Sequence, residues 1–96
     1  MDTNTITQTI MNLVDEALKT DGIDIELSED TALIGGKSAL DSMKLVELCL
    51  ALEDQAADDD FEFDWTSEEA MSKSRGMFRS IKSLANEYVQ QHDAQK

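Results

Sequence analysis

The stretch IGGKSALDSMKLVEL, Ile34 to Leu48, holds two serines whose surroundings imply different chemistry. Ser38 closes a Gly-Gly-Lys-Ser run of the kind that ends a phosphate-cradling loop, where curled backbone amides hold a nucleotide's phosphates. Such a loop also needs a glycine five positions before Gly36, and Thr31 stands there. Ser42 lies in LDSM, directly before a run with helical character. A hydroxyl at a helix start meets the positive end of the helix dipole and unpaired amides, a setting that favours an attached phosphate or, more simply, a capping hydrogen bond.

The remaining chemical groups are sparse. Asp58, Asp60, Glu62 and Glu69 match positions 1, 3, 5 and 12 of a calcium loop, but Phe63 occupies the sixth position, where the turn needs glycine. The expectation is therefore an acidic connector whose aromatics, Phe61, Phe63 and Trp65, point inward, with no metal site. Cys49 sits among leucines and reads as a small buried hydrophobe. His92, the single histidine, is near the C-terminus, so no histidine-based triad or zinc site can be assembled. No acid–base pair, nucleophile or metal centre emerges, and the chain reads as a non-enzyme.

The elements that must position these groups are helical. Ile6, Ile10, Leu13, Val14, Ala17 and Leu18 recur on one face, which predicts a helix over residues 5–19. Thr5 with Gln8 forms a capping box, Asn4 offers a competing cap, and Thr20-Asp21-Gly22 is a stop. From Asp21 to Asp41 the helical period is lost. Ile23, Ile25 and Leu27 alternate with acids as in a short extended segment, and Leu27, Leu33 and Ile34 are expected to pin a long loop to the core. The next run, DSMKLVELCLALED, is apolar around most of its circumference, as in a buried helix or one whose second face receives a partner. A capping box at Thr66 and Glu69 predicts a brief helix over residues 67–73, interrupted by Arg75 and Gly76. Ser80 caps a last helix with inner face Ile81, Leu84, Ala85, Tyr88 and Val89, after which QQHDAQK should fray. The expected architecture is all-α, a small four-helix bundle with a long first loop and a short third helix, forming one domain over residues 1–96.

Charge narrows the partners. Eight Lys and Arg against 21 Asp and Glu give a formal net charge of −13, which repels nucleic acid and anionic lipid and attracts basic protein surfaces. One cysteine excludes an intramolecular disulfide, and no apolar run approaches the roughly 20 residues of a membrane span. A cytoplasmic monomer is expected.

LDSMKLVELCLALED, Leu40 to Asp54, resembles the modification site and second helix of acyl carrier proteins and their peptidyl and aminoacyl carrier relatives. The matching positions are Asp41-Ser42, the apolar Met43, and Val46, Glu47, Leu48, Ala51, Leu52 and Glu53. EDTALIGGKSALDS is similar to the family's long first loop, and FRSIKSLANEYV to its final helix, so the likeness runs from about Ile6 to Val89. The resemblance implies that Ser42 receives 4′-phosphopantetheine from a phosphopantetheinyl transferase. It further implies that a loading ligase charges the terminal thiol with an acyl or aminoacyl group, which downstream transferases or synthases consume. Asp41, Met43, Glu47, Glu53 and Asp54 are then the expected partner-docking residues, and Met43, Val46, Leu48 and Leu50 the expected apolar packing for cargo between the helices. Lys44, the aromatic connector DDDFEFDW, and the basic cluster Lys73, Arg75, Arg79 and Lys82 depart from the common pattern and point to a specialised pathway with a short or aminoacyl cargo. The alternative from a different class is an acidic helical interaction module without a prosthetic group.

Overall fold

Asp2 starts the first helix. Its carboxylate accepts a hydrogen bond from the Asn4 amide at 3.1 Å and another from the Thr5 hydroxyl at 3.1 Å, while its carbonyl accepts the Ile6 amide. The helix, α1, therefore spans Thr3–Thr20, and Asp2 is the cap in place of Thr5 or Asn4. Gly22, at a φ of +72°, turns the chain out of α1 and donates its amide to the Lys19 carbonyl. The computed structural model describes residues 2–20, 22, 26–33 and 42–95, with every helical side chain except those of Ser42, Glu69, Met71, Lys73, Ser74 and Arg75. These residues form four helices and no strand: α1, α2 (Ser42–Asp58), α3 (Glu68–Met77) and α4 (Ile81–Gln95). The expected alternation at Ile23 and Ile25, the Ile34 anchor, the glycine turn at Gly35 and Gly36, and Ser38 lie outside the described residues.

α1 packs along α4, with α2 leaning on α1 and α3 on α4. Ile10, Val14 and Leu18 of α1 meet Ile81, Leu84, Ala85, Tyr88 and Val89 of α4 in one core, closed by Leu48, Cys49, Leu52 and Ala56 of α2. Thr7, polar and buried in α1, donates its hydroxyl to the Thr3 carbonyl, so its burial leaves no orphan group.

The described part of the first loop is tied to the start of α4, where helix geometry leaves the first amides without partners. Thr31 and Glu29 carbonyls accept the Ile81 and Lys82 amides at 3.1 and 2.9 Å, and the Ser80 hydroxyl accepts that of Ser83 at 3.1 Å. Leu33, buried, donates its own amide to the Phe78 carbonyl. The loop thus caps a helix remote in sequence while Leu33 anchors it in the core, as its apolar character predicts.

α3 corrects two expectations. Its cap is Ser67, whose hydroxyl accepts the Ala70 amide, not Thr66. It also runs through Arg75 and Gly76 to Met77, because Ala70, Met77 and the following Phe78 are buried against the core, and this burial offsets the roughly 1 kcal/mol that an internal glycine costs.

Candidate functional site: the outer face of α2

Ser42 is the first residue of α2. Asp41 lies outside the described residues. Along α2 the apolar residues divide into two sets. Leu48, Cys49, Leu52 and Ala56 are buried, whereas Met43, Val46 and Leu50 are 73%, 43% and 49% exposed. Positions 43, 46 and 50 follow helical spacing, so they form one outward stripe that begins next to Ser42. Glu47, Glu53 and Asp54 are exposed on the same helix. A solvent-facing apolar stripe flanked by carboxylates is the second apolar face anticipated from the sequence. It also corrects the expected cargo lining: of Met43, Val46, Leu48 and Leu50, only Leu48 faces the interior.

The carboxylates are not equivalent. Glu47, itself exposed, lies 3.8 Å from the ammonium of the largely covered Lys44, a long contact open to water on the carboxylate side and worth at most about 1 kcal/mol. Glu53 accepts a 2.8 Å hydrogen bond from the Trp65 indole N–H, so the aromatic connector reaches the outer face of α2. The sequence alone does not reveal that bond, because it joins residues far apart in the chain and only the unusual tryptophan hints at it. Cys49 is a buried free thiol, pushed up to about 12 by burial and secondarily by the Glu53 charge. It is therefore protonated and inert at neutral pH.

At its far end α2 stops in a Schellman motif. Asp60 adopts a φ of +66°, its amide bonds to the Ala57 carbonyl, and the Phe61 amide bonds to that of Ala56. The acids that match a calcium loop are consequently dispersed over the end of α2, the segment after it and the first turn of α3, where Glu69 lies. Among the described residues, no group of three or more His, Cys, Asp or Glu is placed to hold a metal ion. Phe61 and Phe63 are buried and Trp65 packs on the core, as expected of an acidic connector with inward aromatics. Phe61 meets Tyr88 edge-on at 4.9 Å, and the Tyr88 hydroxyl donates to Asp59 at 2.6 Å. Burial, then this hydrogen bond and the Asp59 and Asp58 charges, hold the Tyr88 phenol well above its ordinary 10.0.

The C-terminal segment also differs from expectation. α4 stays helical to Gln95 instead of fraying after Val89, because Gln91 and Gln95 bond the connector and His92 packs edge-on against Phe61 at 5.3 Å. In the basic cluster, Arg79 and Lys82 are exposed and Lys82 lies 3.9 Å from Glu29, while the side chains of Lys73 and Arg75 lie outside those described. No helix among the described residues is long and apolar enough to cross a membrane. No protein-family model matches the chain, and no curated protein or solved structure matches it.

Proposed function

We propose that this chain is a carrier protein of the acyl carrier type, a four-helix bundle with a long first loop and a short third helix, modified on Ser42 with 4′-phosphopantetheine. The observation that carries the reading is that Ser42, which follows Asp41 in the sequence, is the first residue of α2, with Met43, Val46 and Leu50 exposed in line behind it. Buried leucines on the other side of α2 give the helix enough packing to hold its place, so the exposed set is surplus to the core. A primary hydroxyl at a helix start suits the group chemically, since the phosphodiester's negative charge is favoured by the helix dipole.

The prosthetic group, when attached, supplies a flexible arm and a thiol that carries the cargo as a thioester. The chain's own residues do the rest. Met43, Val46 and Leu50 give partners an apolar contact beside the attachment point, and Glu47 and Asp54 draw in basic surfaces. The partners are the phosphopantetheinyl transferase, a loading ligase and downstream transferases or synthases of a specialised pathway, with separate enzymes performing the catalysis. The chain acts as a monomeric, single-domain protein in the cytoplasm.

Incubation of the unmodified protein with coenzyme A, magnesium and a broad-specificity transferase should raise the intact mass by one phosphopantetheine. Ser42→Ala should abolish the gain. No gain with several transferases would sink the proposal.

A second reading has its own support. Residues 45–72 contain ten carboxylates and no Lys or Arg, a degree of segregation that suits an acidic interaction module acting without a prosthetic group. If Ser42→Ala leaves cellular function intact while charge reversal at Glu47 and Glu53 abolishes it, that reading replaces the first.

A further inference from the structure

Gln91 and Gln95 stand one helical turn apart on α4 and make the same pair of contacts to alternate residues of the connector. Gln91 accepts the Asp64 amide at 2.6 Å and donates to the Asp64 carbonyl at 2.8 Å. Gln95 accepts the Glu62 amide at 3.0 Å and donates to the Glu62 carbonyl at 2.8 Å. Each carboxamide thus supplies one donor and one acceptor, as a neighbouring strand would. The spacing permits it: four helical residues rise about 6 Å, and two extended residues about 6.6 Å. Phe63, between the two bonded positions, turns its side chain into the core.

Residue 65 follows directly. Trp65 bonds Glu53 on the outer face of α2, so one continuous set of contacts runs from the last turn of α4 through residues 62–65 to a carboxylate of the candidate docking surface. The set begins in the last turn of α4, and helix ends open more readily than helix interiors. It ends on a group that an arriving cation would compete for.

We propose that Gln91 and Gln95 form a releasable clasp that couples the C-terminal turn of α4 to the Glu53 carboxylate. With the clasp closed, the connector is held in register and the Trp65 indole occupies Glu53. With it open, residues 62–65 loosen and Glu53 becomes available to a basic side chain. The coupling is reciprocal, so a cation that draws Glu53 from the indole weakens the clasp by the same factor. The clasp itself is independent of any prosthetic group, while its consequence for docking rests on the carrier reading.

The test is amide hydrogen exchange at Glu62 and Asp64, together with the indole N–H resonance of Trp65, on the full chain. Gln91 also donates a 2.9 Å hydrogen bond to Glu87 one turn earlier on α4. Alanine is a better helix former than glutamine, so in Gln91→Ala with Gln95→Ala its propensity largely offsets the loss of that intrahelical pair. The methionine pair keeps the length of the stems. Either double variant should speed exchange at both amides on the order of tenfold, as expected for the loss of about one net hydrogen bond's free energy at each site, and should shift the indole resonance. Trp65→Phe should speed exchange at the same amides, with an effect smaller than additive when combined with the clasp variants. Gln90→Ala, on the exposed side of α4, should do neither. An unmoved indole resonance in both double variants, or amide exchange indifferent to Trp65→Phe, overturns the coupling. None of these readouts involves Ser42, so failure of the loading reaction and failure of the clasp are told apart.

Discussion

α2 and α4 are both rich in apolar residues but place them differently. In α4, Ile81, Leu84, Ala85, Tyr88 and Val89 are all buried. In α2, Leu48, Cys49, Leu52 and Ala56 are buried, yet Met43, Val46 and Leu50 remain in water. Exposed apolar side chains gain nothing from the fold, since burial stabilises by about 25 cal/mol per Å² only when area leaves water. The difference separates a helix that holds the molecule together from one that presents a surface. It also locates that surface directly after Ser42.

The largest effect should come from breaking the structural helix. Leu84→Ala, at a fully buried position, is expected to lower stability by about 2–5 kcal/mol, while Leu50→Ala should stay within about 0.5 kcal/mol. Urea denaturation of the two variants measures the contrast directly. Equal losses would mean that α2's outer stripe is part of the core after all.

Tyr88→Phe sharpens the same contrast more gently. It removes a hydrogen bond to a carboxylate and should cost about 1–3 kcal/mol. The pH dependence has a definite sign. Cys49 and Tyr88 both hold their protons more tightly in the folded chain than at their ordinary values of 9.0 and 10.0. Their contribution is complete below those values and is lost as pH rises, for Cys49 up to about 12. Stability should therefore fall from about pH 9 upward, and Tyr88→Phe should remove the part that starts near 10. An alkaline limb identical in wild type and Tyr88→Phe contradicts this assignment.

At the end of α2, Asp60 holds the left-handed cap position that glycine fills without steric cost. Asp60→Gly is expected to stabilise the protein by up to about 1 kcal/mol, seen as a higher melting temperature.

The smallest change in stability belongs to the outer face itself. Glu47→Lys should leave the urea midpoint nearly unchanged and slow association with a transferase by about threefold to tenfold at low salt. High salt should erase most of that difference, because exposed charges are screened within about 8 Å at physiological ionic strength. Association rates that ignore salt would show that charge does not steer docking.

How far the sequence predicts these features depends on whether their cause is local. The inner faces of α1 and α4 follow from a single 3.6-residue period, and the exposed faces opposite them leave no ambiguity. In α2 the period is apolar on two sides, so periodicity alone does not tell Leu48 from Leu50; packing against α1 decides it. Caps are subtler. Asp2 and Ser67 prevail over Thr5 and Thr66 by one to three positions, a choice made by where the first amides fall. The order of the last turn of α4 was hidden for a different reason: Gln91 and Gln95 owe it to residues 62 and 64, some thirty positions earlier. Their four-residue spacing opposite an alternating segment was the one available signal. Ser42, by contrast, stands out through its neighbours Asp41 and Met43.

Ser38 and Ser42 lie close enough in sequence to fall in one proteolytic peptide, and fragmentation of that peptide after the transferase reaction tests the central claim most directly. The account predicts that all of the added phosphopantetheine resides on Ser42 and none on Ser38. Attachment at Ser38, or a peptide that stays unmodified with every transferase tried, would contradict it.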